Sequence, residues 1–178
     1  HFKDIAQRIL NYNPIDENDL IIDIGSNDGT LLRCFKEVGY DNVLGVDPAD
    51  EIAAEATKNG ISTINAYMNE EIANKIFKEH GKASVITANN VYAHVDDLAG
   101  MTNAIKAVLA EDGIFVFEVS YLLDVVEKML IGTIFHEHLC YHSVKAMSRF
   151  LESQGMELIH VERGPEQGGS IVGYTQFS

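Results

Sequence analysis

The chain has 178 residues and a formal charge of −14, from 27 acidic against 13 basic side chains, a balance that makes nucleic acid an unfavourable partner because phosphate binding draws on clustered Lys and Arg. Hydrophobic residues make up 46% of it, and no apolar run approaches the ~20 residues that span a bilayer, so membrane insertion is excluded. The length suits a single domain over residues 1–178 with a substantial core.

A helical pattern starts at once after His1, with Phe2, Ile5, Ala6, Ile9 and Leu10 on one face. No signal peptide precedes it, as expected of a piece cut from a longer protein. Apolar runs near 20–24, 42–47, 61–65, 83–89, 113–119, 156–162 and 169–176 then alternate with helical segments. That alternation predicts an α/β fold built on a doubly wound, seven-stranded, Rossmann-like sheet. The last two runs are joined by Gly164-Pro165-Glu166-Gln167-Gly168-Gly169, turn chemistry without a helix, so they are predicted to pair as a C-terminal antiparallel hairpin. Such a hairpin distinguishes the methyltransferase variant of this sheet from the dehydrogenase one. The two cysteines, Cys34 and Cys140, have neither metal-ligand spacing nor disulfide density, which fits a reducing cytoplasm.

The first run, Leu20 to Ile24, is aliphatic except for Asp23, as expected of a parallel strand buried on both faces. It enters the turn Gly25-Ser26-Asn27-Asp28-Gly29, and Leu31, Leu32, Phe35 and Val38 follow at helical spacing. Asp47 closes the second run where a Rossmann-type strand places the carboxylate that accepts the ribose hydroxyls of a nucleoside. A dinucleotide would set its pyrophosphate over the start of the helix, beside Asp28 and Asp23, and two carboxylates repel it. A sulfonium and an α-amino group are attracted there, so the turn is read as a site for S-adenosyl-L-methionine. The candidate cofactor-binding set is Asp23, Gly25, Asn27 and Gly29, with Asp47 and Pro48, Ala66 and Tyr67, and Asn89 and Asn90 after the next three strands. Tyr67 equally suits ordinary packing, and Asn89 and Asn90 equally suit caps of the helix starting near Asp96-Asp97.

His94, beyond the fourth strand, falls at the same crevice by the carboxyl-end rule, or else is a plain surface histidine. A second cluster follows the fifth strand and a helical stretch over 122–130: Phe135-His136-Glu137-His138-Leu139-Cys140-Tyr141-His142. The zinc-protease pattern fails because Cys140 stands where its second histidine belongs, leaving only His138 and His142 at helical i, i+4 spacing to support a metal. A solvated loop is a second reading, and general acid-base chemistry by a histidine beside a carboxylate is the third. No metal is assigned.

These blocks, with Gly45-Val46-Asp47-Pro48, Asn90-Val91-Tyr92-Ala93-His94, Phe117-Glu118-Val119 and Gly168-Gly169-Ser170, resemble in order the methyltransferase domain of the sugar C-methyltransferases, which act on nucleotide-linked deoxy-ketosugars. The resemblance runs from about residue 18 to 176. It implies the class I S-adenosylmethionine methyltransferase fold, His138 as general base, and Glu137 and His94 lining the sugar pocket. It also implies an amino-terminal zinc-binding domain and a carboxyl-terminal domain outside this stretch. Phe135 stands where the family commonly has a tyrosine. Three alternatives stay open: a cofactor-binding domain without catalysis, an O-methyltransferase for a small molecule, and an NAD-dependent oxidoreductase.

Overall fold

A computed structural model describes residues 1–130, 132 and 139–178, and in chain order gives α1 (Phe2–Tyr12), β1 (Leu20–Ile24), α2 (Thr30–Glu37), β2 (Val43–Asp47), α3 (Asp50–Lys58), β3 (Thr63–Asn65), α4 (Glu70–His80), β4 (Ala83–Asn89), α5 (Leu98–Val108), β5 (Leu109–Ser120), α6 (Leu122–Glu127), α7 (Val144–Ser153), β6 (Met156–Gly164) and β7 (Ser170–Phe177). All five residues of β1 are buried. Strand geometry sends them alternately to the two faces, so Leu20, Ile22 and Ile24 join one apolar cluster and Ile21 the other. A strand apolar on both faces requires a helical layer on each side. Ile5, Ile9, Leu32, Phe35 and Ala56 bring α1, α2 and α3 onto one face. Ile76, Ile105, Met147 and Leu151 bring α4, α5 and α7 onto the other.

The seven strands lie in the order β3-β2-β1-β4-β5-β7-β6. The first five are parallel, and β7 runs antiparallel to both β5 and β6. The fold is therefore the α/β sheet with a C-terminal antiparallel hairpin that the turn residues 164–169 predict. β6 is laid down at the edge and β7 returns into the slot beside β5. The chain steps outward from β1 to β3 and then jumps back to β4, so the crevice opens at the carboxyl ends of β1 and β4, where open α/β sheets bind ligands.

Three boundaries differ from the sequence pattern. β5 begins at Leu109 rather than near 113, because Leu109 pairs with Ala83 before the register slips and Ile114 meets Val85. The polar Glu111 and Asp112, which hide the strand from a hydrophobicity pattern, are exposed within that slip. α6 stops at Glu127, short of the helix expected to 130, and Met129 follows with φ 53. β3 is a three-residue edge strand, half-exposed, where a run of five was expected. Among the described residues no helix is long and apolar enough to cross a membrane.

Candidate functional site

A cavity of about 1240 Å³ opens at the carboxyl ends of β1, β2 and β4. Asp23, Gly25, Asn27, Asp47, Pro48, Ala66, Tyr67, Asn89, Asn90 and His94 all line it, although they come from four separate stretches of chain. Topology is what gathers them: each follows a different parallel strand, and all these strands end on the same edge.

The turn after β1 is fixed by backbone donors. The Gly25 N–H donates to the Val46 carbonyl (2.8 Å), and a Cβ at Gly25, with φ 69, would sit 2.6 Å from Val91 Cγ2. Only glycine meets both conditions. Asn27 adopts φ 52; its N–H donates to Asp47 Oδ2 (2.8 Å) and its side-chain oxygen accepts from the Asp28 N–H (2.8 Å). Asp47 Oδ1 accepts from the Ala49 N–H (2.9 Å). Each oxygen of this carboxylate keeps acceptor capacity beyond its one backbone bond. Gly29 stands one step behind the wall: φ 78 turns the chain into α2, and a Cβ there would meet Ile61 at 2.9 Å. Its part is packing rather than contact.

The charges around the turn are distributed differently from the sequence expectation. Asp28 lines the cavity, but its carboxylate accepts from Thr30 N–H (3.0 Å) and Thr30 Oγ1 (2.6 Å) and pairs with Arg33 (3.1 Å). The Thr30 hydroxyl, then the Arg33 guanidinium, hold it below the usual carboxylate range. Asp28 is thus matched by its own helix, and the repulsion of a pyrophosphate ascribed to it is largely cancelled. Asp23 is buried, accepts from Thr87 Oγ1 (2.6 Å), and burial with the nearby Asp47 pushes its pKa up to about 7 despite that hydrogen bond.

At the opposite wall, β4 runs into a 3-10 turn over Tyr92–His94. Tyr92 is fully buried, stacked on Phe117 with ring centroids 5.5 Å apart, and its hydroxyl hydrogen-bonds with Thr102 (3.0 Å). That anchor presents the exposed His94 at the cavity edge. Asn90, at φ 56, donates its N–H to the Glu118 carbonyl (2.8 Å). The capping alternative for Asn89 and Asn90 is overturned, since Asp97 caps α5 by accepting from the Gly100 N–H (2.8 Å). Tyr67 is 77% exposed on the rim, which removes the packing alternative for it.

Glu137 and His138 lie outside the described residues. Leu139, the next residue in sequence, donates its N–H to the Ala93 carbonyl (2.8 Å), beside His94. The metal argument from His138 and His142 loses its helix, because residues 139–142 are not helical and His142 bridges Tyr121 in extended form. His142 is buried with Nε2 3.4 Å from the Tyr92 carbonyl oxygen, and burial lowers its pKa.

Some wall residues were not singled out from the sequence. Ser26 is 4% exposed, and its hydroxyl has no hydrogen-bond partner among the described residues. It sits inside the quoted turn, but no pattern distinguishes a hydroxyl from a small spacer there. Phe2, Met68 and Met101 add apolar wall. The exposure of Phe2 at the end of an otherwise buried helical stripe is the one sign of it.

Residues 2–161 match the family described as methyltransferase domain. The C-methyltransferase NovU of Streptomyces niveus is 34% identical over 172 residues, 97% of this chain and 41% of that protein, so the chain spans about two fifths of the length of this relative. Solved structures share the fold at low identity. A magnesium protoporphyrin IX methyltransferase from Synechocystis PCC 6803 with bound SAH has a TM-score of 0.75 at 14% identity, covering 99% of this chain and 82% of that one. The glycopeptide N-methyltransferase MtfA complexed with SAM has a TM-score of 0.71 at 11% identity, covering 99% and 94%.

Proposed function

The chain belongs to the methyltransferase-domain family, and we propose that it moves a methyl group from S-adenosylmethionine to a carbon of a nucleotide-linked deoxy-ketosugar, with His138 as general base. Family membership sets aside the oxidoreductase alternative. The observation that carries the proposal is the bond from Leu139 N–H to the Ala93 carbonyl, which ties the residue after His138 to the turn that presents His94 at the cavity. The relative NovU is named for transfer to carbon, which favours that acceptor over oxygen.

The wall suits the cofactor. Asp47 has acceptor capacity on both oxygens for the two ribose hydroxyls, and Asn27 holds it in register. Gly25 lets backbone approach the methionine portion, whose ammonium group would meet Asp23 and lower the cost of ionising it. Pro48, Ala66 and Tyr67 would hold the adenosine, and Asn89 and Asn90 line the same cavity and complete the candidate set. Gly29 acts through its packing on Ile61. When bound, the cofactor supplies an electrophilic methyl group on a sulfonium.

The chain's own task is to make the acceptor carbon nucleophilic. A carbon beside a ketone attacks only after losing its proton, and a histidine titrates near the working pH, which is where a general base is most effective. His138 takes that proton, and Glu137 and His94 line the sugar pocket. The cavity is lined by no Lys or Arg among the described residues, and the undescribed positions contain neither. The sugar therefore enters while the diphosphate stays outside.

The test uses the full-length protein and a nucleotide-linked deoxy-ketosugar in deuterated water. His138→Ala is expected to lower kcat by roughly 10²-fold or more, the usual worth of a general base, and to abolish deuterium exchange beside the ketone, with cofactor affinity unchanged. Exchange that persists in the variant overturns the role of His138.

A further inference from the structure

Two blocks of the sequence find no use in the chemistry above, Phe117-Glu118-Val119 and Gly168-Gly169-Ser170. The sheet brings them together. Ser170, at the start of β7, donates its hydroxyl to Oε1 of the buried Glu118 (2.8 Å), near the carboxyl end of β5. By strand alternation Glu118 shares the face of Ile114 and Val116, which α1 covers. There His1, the cap of α1, reaches two carboxylates at once. Its Nε2 lies 3.1 Å from Glu118 Oε2 and its Nδ1 2.8 Å from Glu166 Oε1. Glu166 is folded back over the end of β6, where a Cβ at Gly164 would collide with its carboxylate. The next residue after His1, Phe2, lines the cofactor cavity, with the two rings 5.2 Å apart. The buried stripe of α1 begins only at Ile5, so the placement of Phe2 falls to its neighbour.

We propose that Glu118 is a positioning residue for the cofactor: through His1 it holds the first turn of α1, and with it the Phe2 ring, against the cavity before the ligand arrives. The inference rests on the cofactor reading above and deepens it. Glu118 is not among the described residues that line the cavity, so it acts through its neighbours. Ordering one side chain in advance is worth about fivefold in affinity. Each of the two contacts of His1 needs a hydrogen between its atoms, and a neutral imidazole carries one. The other sits on the ring or on Glu118, whose pKa burial raises against the Ser170 hydrogen bond, with Glu166 adding to the rise and Arg8 opposing it. Arg8 is itself paired with Asp4 and Glu162. Raising the pH removes that hydrogen and leaves two acceptors facing each other. In Glu118→Gln an amide N–H takes its place, while the amide oxygen still accepts from Ser170.

The experiment is calorimetric titration of the full-length protein with S-adenosylmethionine from about pH 5 to 9, the range that spans carboxyl and imidazole groups. The ratio of the parent's affinity to that of Glu118→Gln is expected to fall roughly fivefold as pH rises. Asp23, raised to about 7 in the same cavity, is common to both proteins and cancels in that ratio. At the acid end His1→Ala is expected to weaken binding by about fivefold in the parent, but by less than about twofold in a Phe2→Ala background, because residues acting as one unit are not additive. Both sites precede the buried stripe of α1, so these variants keep the core intact. A ratio indifferent to pH, or a His1→Ala loss undiminished when Phe2 is absent, overturns the proposal. Absence of S-adenosylmethionine binding in the parent overturns the cofactor reading itself, a result distinct from the other two.

Discussion

On the β1 to β3 side of the crevice, one carboxylate is tied to backbone N–H groups: Asp47 accepts from Asn27, 20 positions away, and from Ala49, two positions away. On the β5 to β7 side the ties are between side chains far apart in sequence. Asp124 takes the Arg163 guanidinium on both oxygens (2.7 and 3.0 Å), 39 positions on, and Lys128 at 2.7 Å. Glu118, buried at the end of β5, meets His1 (3.1 Å) and the Ser170 hydroxyl (2.8 Å), 117 positions back and 52 on. Backbone donors do not titrate, whereas ion pairs respond to pH and salt. Arg163 and Lys128 hold Asp124 down to about 2, while burial raises Glu118. The Asp47 carboxylate is thus held by local backbone geometry, whereas the β5 to β7 side depends on charges that must find one another after the sheet has formed.

Asp47→Ala breaks this contrast hardest. It removes the acceptor for two backbone N–H groups and, on the proposed function, the ribose ligand. Hydrogen bonds to charged groups are each worth about 1.5–3 kcal/mol, so cofactor affinity should fall by roughly 100-fold or more, measured by calorimetry on the full-length protein. A loss below about tenfold would mean that the turn keeps its shape without Asp47, and that its geometry resides in the glycines alone.

Asp124→Asn sharpens the comparison from the other side. The amide keeps the volume but frees Arg163 and Lys128, loosening α6 from the β6–β7 turn, where Lys128 also donates to the Gly168 carbonyl (2.7 Å). α6 leads into the stretch that carries His138, so kcat should fall roughly tenfold through misplacement of reacting groups. Cofactor affinity should stay within about twofold, well under the tenfold that 1.4 kcal/mol represents. Equal losses in both measurements would show that the two sides form one cooperative unit.

The same contrast explains what the sequence disclosed. β1 and its turn are contiguous, and a buried parallel strand leaves a continuous aliphatic run, so Asp23, Gly25 and Asn27 are legible from spacing alone. Asp47 follows because the second strand ends at a fixed distance along a βαβ unit. The hairpin is legible because residues 164–169 hold turn formers and no helical stripe. Arg33 matching Asp28 was missed, although the two are only five positions apart, because a charge pair across a helix start has no hydrophobic period. The early start of β5 was masked by Glu111 and Asp112 in its register slip. Ser26 was missed for a third reason: an unpartnered hydroxyl is a property of its surroundings, not of its residue type.

Asp23 offers the smallest effect and separates backbone tethering from burial on the cofactor side itself. Its carboxyl is raised from 3.8 to about 7 in the fold. Below about pH 4 both folded and unfolded chains hold this proton, and the group contributes nothing to their difference. Between about 4 and 7 the unfolded chain has released it and the folded chain has not, so this residue lowers stability progressively as pH rises, levelling off above 7. Asp23→Asn cannot titrate, and its side-chain oxygen still accepts from Thr87. The variant's Tm, compared with the parent's from pH 4 to 7.5 without cofactor, should therefore gain on it as pH rises. Parallel curves would mean that Asp23 is ionised in the folded protein, and that the Thr87 hydroxyl outweighs the loss of water around it.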